Sequence, residues 1–125
     1  STVHTVTLQR LQDRMSAGRI LLSEAEKYDY LEPYRPEIEY SFTRLFYVNT
    51  LFSAMRDCRE KGKYRFVTDL AQEMKRTFPD FEQNVYYREK LTEEEKKMIR
   101  IQMTCPPLFY LYYRALWAYR DLRRR

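Results

Sequence analysis

Apolar side chains recur along this chain at alternating spacings of three and four residues, the pattern of helices that each bury one face. Leu8, Leu11, Met15, Gly18, Leu22 and Ala25 keep that spacing while Gln12, Asp13, Arg19 and Glu26 fall elsewhere, which predicts a first helix over residues 8–27. The stretch KYDYLEPYR (27–35) breaks the pattern, because Pro33 and Pro36 both resist helix interiors. Pro36 suits the first turn of a second helix, where Glu37 and Glu39 complement the helix dipole. This helix is predicted to run to about Lys61 with two apolar stripes: Ile38, Phe42, Leu45 and Phe52 on one, Val48, Leu51, Met55 and Cys58 on the other. A helix apolar on two sides belongs at the centre of a bundle. Gly62 is expected at the left-handed position past its C-terminus, behind Arg59 and Lys61.

A third helix is predicted from Tyr64 to Thr77, with Phe66, Val67, Leu70, Ala71 and Met74 on its apolar face and Pro79 as its stop. Phe52 and Met74 are expected in the core. After an aromatic segment from Phe81 to Tyr87, Thr92 and Glu95 form a capping box that opens the next helix, with Glu93 placed to pair with Lys97. That helix must end before Cys105-Pro106-Pro107, since a residue preceding proline is pushed out of helical geometry. A last helix follows over roughly Leu108 to Arg123. Simple burial would cover Leu108, Leu111, Ala115, Ala118 and Leu122, leaving Tyr110, Tyr113 and Trp117 on a different face.

Composition narrows the class. With 125 residues and only two glycines, the chain reads as one all-α domain over 1–125, an irregular bundle of five or six helices around a central helix. It opens at Ser1 with neither an initiator Met nor a leader pattern, which suggests the C-terminal part of a longer protein. Cys58 and Cys105 are expected reduced and cytoplasmic. The net charge of +5 is uneven: residues 1–60 carry 8 basic and 9 acidic side chains, residues 61–125 carry 15 and 9.

Candidate chemistry is sparse. His4 is the only histidine, and there is no Asp-x-Asp, no glycine-rich phosphate loop and no Cys-x-x-Cys. No catalytic, cofactor-binding or metal-binding residue is therefore assigned. Glu93, Glu94 and Glu95 are consecutive helical residues pointing apart, which suits a helix start better than a metal. Tyr86 and Tyr87 could stack bases, but the basic residues are interleaved with acids, so nucleic-acid binding is disfavoured.

The segment LFYLYYRALWAY (108–119) is apolar or aromatic at every position except Arg114. It is too short to span a bilayer, which takes about 20 residues. Three readings stand: a buried core helix, a helix docked on a partner domain or a second copy, or a helix lying at an anionic membrane surface. Tyr110, Tyr113, Arg114, Trp117, Arg120, Arg123, Arg124 and Arg125 are the candidate contacts, because ring-plus-arginine composition marks both protein and headgroup interfaces.

From Lys75 to Tyr87 (KRTFPDFEQNVYY), through the charged helix to Pro106-Pro107-Leu108-Phe109-Tyr110, the chain resembles the C-terminal tail of bacterial family 2 glycosyltransferases of the capsule and exopolysaccharide type. Phe78-Pro79 and Asn84 match elements of that tail, and 108–125 is similar to its aromatic, basic last helix. The resemblance implies a parent enzyme that transfers sugar from a nucleotide-sugar, with Mg or Mn, to a polysaccharide or lipid-linked acceptor. Its metal-binding Asp-x-Asp and base would lie in an upstream α/β domain. This chain would then be a non-catalytic accessory domain that supports the catalytic domain, pairs with a second copy or holds the enzyme near lipid-linked acceptors. It would sit in the cytoplasm or at the inner face of the membrane, with that catalytic domain as a partner and a homo-oligomer as a further expectation. A free-standing helical interaction module is the alternative. Phe78 is expected as a core plug, Pro79 as a helix stop and Asn84 as a turn or cap.

Overall fold

The structure, a computed structural model, describes residues 5–124. It is all-α, with no strand among the described residues. The chain forms two compact units, Ser1–Leu91 and Thr92–Arg125.

In the first unit, α1 (Leu8–Lys27) opens on Thr7, which has extended backbone geometry and whose hydroxyl accepts the Arg10 amide at 3.2 Å. It buries Leu11, Met15 and Gly18, and closes at Tyr28 and the left-handed Asp29. The second predicted helix is one continuous helical path in three parts: α2 (Arg35–Phe42), a π-helical turn (Thr43–Val48) and α3 (Asn49–Asp57), with right-handed helical dihedrals at both joins. It packs against α1, α4 (Lys63–Thr77) and α5 (Val85–Lys90), and so is the centre of this unit.

The π turn corrects the predicted stripes. It adds one residue to the helical repeat, so burial jumps by five positions, from Phe42 to Tyr47 and from Thr43 to Val48. Leu45, expected inside, is carried out to 53% exposure, and Phe52, expected in the core, is half-buried. Gly18 explains why α1 can lie so close to this turn: a Cβ there would meet Phe46 Cγ at 2.8 Å and Phe42 Cε2 at 3.0 Å. Phe42 also packs on Phe78, and a chain of edge-on rings joins Tyr47, Phe81 and Tyr87. Burial, reinforced by Tyr87 and Glu82, pushes the Tyr47 phenol well above its ordinary pKa, keeping it protonated.

The helix stops at Asp57, four residues short of the predicted end, because Cys58 turns extended. The Lys63 ammonium reaches back to donate to the Met55 and Cys58 carbonyls at 2.9 and 3.1 Å, taking over two acceptors freed at that end. Gly62, with φ of 23°, precedes α4 as its N-terminal flank and does not serve as the C-terminal cap of the preceding helix. Val67, Leu70, Ala71 and Met74 are buried on α4 as their spacing predicts. The helix ends at Thr77, with Phe78 buried and Pro79 following. Arg19 on α1 grips Glu73 on α4 with two hydrogen bonds, of 2.6 and 2.7 Å.

Asn84 is the cap that the turn chemistry predicts. Its side-chain oxygen accepts the Tyr86 and Tyr87 amides at the start of α5, and its amide donates to the Pro36 carbonyl at 2.9 Å and to Glu39 Oε1 at 2.8 Å. One buried side chain thus begins α5 and ties it to the first turns of α2.

The second unit is an antiparallel hairpin. Thr92 and Glu95 form the expected capping box, at 3.1 and 3.0 Å, for α6 (Glu93–Thr104). Cys105 leaves helical geometry, and α7 (Pro106–Arg124) starts at the prolines, two residues before its predicted position. Glu93 pairs with Lys96 at 2.9 Å, whereas Lys97, its expected partner, lies over the Tyr112 ring.

Candidate interaction surface on the last helix

Two apolar faces compete on α7, and the aromatic one is buried. Phe109 is fully buried and Tyr113 is 4% exposed, while Leu108, Leu111 and Leu122, expected inside, are 55%, 65% and 68% exposed, with Ala115 and Ala118 exposed beside them. Area is the physical reason: an aromatic side chain buries about 150–250 Å², more than leucine or alanine can, so covering the ring face removes more apolar surface from water.

The buried face is a ladder of rings at i, i+4 spacing. Phe109 and Tyr113 lie 5.9 Å apart between centroids, as do Tyr113 and Trp117. Arg120 closes the ladder, its guanidinium 5.2 Å from the Trp117 ring and its two terminal nitrogens donating to Glu94 at 2.6 and 3.2 Å. The Glu94 carboxyl is held below its ordinary pKa by the Arg120 hydrogen bond, and Arg120 is raised in turn.

The candidate contacts therefore divide. Tyr113 is inside the fold, and Tyr110, Trp117 and Arg120 are half-buried, with Trp117 and Arg120 engaged as described. Arg114 is exposed and reaches back over the Tyr110 ring; Arg123 is exposed and lies over Tyr119, donating to its hydroxyl at 3.2 Å. Arg124 is exposed at the end of the helix, and Arg125 lies outside the described residues, as does His4. The solvent face consists of Leu108, Leu111, Ala115, Ala118 and Leu122, with Arg114 and Asp121 along one edge and Tyr119 along the other.

Comparison with protein-family models, with curated proteins and with solved structures returned no match. The surface is therefore read from its own geometry. No helix among the described residues is long and apolar enough to cross a membrane. Among the same residues, no group of three or more His, Cys, Asp or Glu side chains is placed to hold a metal ion. The tyrosine pair considered for base stacking is committed elsewhere. Tyr87 is buried in the ring chain of the first unit, while Tyr86 donates to Glu37 at 2.9 Å, packs on Tyr40 and carries Lys90 over its face.

Sequence reasoning placed Leu108, Leu111, Ala115, Ala118 and Leu122 on one face correctly and assigned that face to the wrong side. The available signal was the difference in size between the two sets, three rings against three leucines and two alanines.

Proposed function

We propose that this chain is a non-catalytic helical module that offers α7 as a docking helix. The observation that supports it is the aliphatic stripe along the solvent side of α7, which persists after the aromatic face of the same helix has been buried. Isolated exposed leucines are ordinary on protein surfaces, whereas a stripe along a whole helix marks a contact face. Protein is favoured over lipid as what meets it. The rings best suited to a headgroup layer, Tyr113 and Trp117, are stacked into the fold, and Arg120 is paired with Glu94.

The resemblance to family 2 glycosyltransferase tails supplies the setting: an accessory domain attached to a catalytic domain that uses a nucleotide-sugar with Mg or Mn. On this reading the chain contributes support and assembly, and the reaction belongs to the upstream domain. Titrating the chain calorimetrically with uridine and guanosine diphosphate sugars plus Mn²⁺ is expected to show no specific heat, and micromolar binding would overturn the non-catalytic assignment. Reading the coding sequence upstream of Ser1 tests the setting: an α/β domain carrying an Asp-x-Asp supports it, and any unrelated context removes it.

A further inference from the structure

We infer that the occupant of the α7 stripe is a second copy of this chain, paired antiparallel through α7 in a single register. The inference rests on the reading of α7 as a docking helix and adds what docks there.

The exposed stripe runs 108, 111, 115, 118, 122, a strict alternation of three and four over the length of the helix. That is the seam of a two-helix coil, narrower than the face a helix uses against a globular core. With 108, 115 and 122 as one core position and 111 and 118 as the other, the flanking positions are Arg114 and Asp121 on one side and Tyr112 and Tyr119 on the other. When two such helices run antiparallel, each flank meets the same flank of the other copy.

One register satisfies shape and charge together. If Ala115 lies opposite Ala118 of the second copy, Leu111 lies opposite Leu122 at both ends, giving four layers. Two packed helices cross at about 20° and diverge away from the crossing point. Small side chains at the centre allow the axes to approach to about 8 Å, and leucines fill the widening gap at each end. In this same register Arg114 faces Asp121 of the second copy, twice by symmetry, and Tyr112 faces Tyr119. Sliding by one heptad sets Arg114 against Arg114, so charge selects the first arrangement. Both charged residues are exposed, and Arg114 is otherwise in contact with the Tyr110 ring of its own helix. The interface is isologous: the same stripe serves both copies, and the pair closes without leaving a face to propagate.

The test uses the whole 125-residue chain. Sedimentation equilibrium across the micromolar range is expected to show a concentration-dependent dimer. Arg114→Asp alone, or Asp121→Arg alone, replaces two attractions with two repulsions and is expected to weaken the dimer roughly tenfold, while the combined Arg114→Asp/Asp121→Arg swap restores it. These positions are exposed, so the variants keep their fold, which circular dichroism checks.

Register is read by crosslinking in a Cys58→Ala/Cys105→Ser background. Ala115→Cys chains mixed with Ala118→Cys chains are expected to form an oxidised dimer that neither forms alone. Self-crosslinking of Ala115→Cys would mean a parallel pair and overturn the register, as would swap variants that stay weak. A parent chain that remains monomeric throughout overturns the self-pairing, and one that instead binds anionic vesicles through Leu111 as a monomer assigns the stripe to lipid. In either case the accessory setting stands or falls separately, on the coding sequence upstream of Ser1.

Discussion

Arg120 holds Glu94 with two hydrogen bonds across the hairpin of α6 and α7, joining the first turn of one helix to the last turns of the other. Glu94 is exposed and Arg120 half-buried, yet the pair has the bidentate geometry that makes arginine and carboxylate the strongest of surface partners. Its pH dependence follows from direction. Glu94 titrates below its ordinary value of 4.5 when folded, so its contribution is present above the usual carboxylate range and is lost as pH falls through the depressed value. Glu94→Gln is expected to lower the melting temperature slightly at neutral pH. The gap between variant and parent should close on acidification below about pH 4. A gap that is constant with pH would mean the pair contributes nothing.

The assignment of α7's faces is tested by two truncations on one helix. Tyr113→Ala removes a ring from the buried ladder and is expected to cost on the order of 3 kcal/mol in urea denaturation, in line with buried aromatic truncations. Leu111→Ala on the open face should change the stability of the monomer by less than about 0.5 kcal/mol. The reverse ranking would restore the leucine face to the interior.

Gly18→Ala sets two effects against each other. Alanine favours the helix by about 1 kcal/mol, and a methyl 2.8 Å from Phe46 Cγ forces overpacking worth about 1–3 kcal/mol. A net loss of about 1 kcal/mol is expected. In a Phe46→Ala background, which removes Cγ and the ring, the same substitution should cost less than in the parent by thermal melting, with Phe42 Cε2 at 3.0 Å the remaining close contact.

Asn84 serves two helices, so its loss should exceed that of an ordinary cap. Asn84→Ala is expected to cost about 2 kcal/mol, about 1 for the cap and the rest for the lost hydrogen bonds to the Pro36 carbonyl and Glu39. Asn84→Asp keeps the acceptor for the Tyr86 and Tyr87 amides but sets a carboxylate against Glu39, so at neutral pH it should be no better than alanine. Urea midpoints of the two variants, compared at neutral and acid pH, check both statements.

Much of the backbone was legible because its signals are local. The run from Leu8 to Ala25 marks α1, Thr92 with Glu95 opens α6, and Cys105-Pro106 closes it. Asn84 and Phe78 could be read as cap and plug from residue type and the proline between them. What escaped is what local signals do not encode. A π turn is one residue added within a helix, and no residue type marks it, so Leu45 reads as core until the helical phase is seen to shift. The end of α3 depends on Lys63 reaching back from beyond the turn. The orientation of α7 was a contest between two apolar faces, each plausible alone, decided by total area and not by spacing.

The π turn at Thr43–Val48 also sets where this chain can change length. A helix holding one surplus residue can release it: deleting Leu45, whose side chain is exposed, would return Phe42 and Tyr47 to a four-residue interval and keep both halves of the helix facing their present neighbours. Removing a residue elsewhere in α2 or α3 would turn one half by about 100° against the other and bring polar groups into the core. Relatives of this protein that differ by one residue in their central helix should therefore carry the gap between positions 43 and 48. A Leu45 deletion variant should fold with close to parental stability, whereas deletion of Ser53 should not.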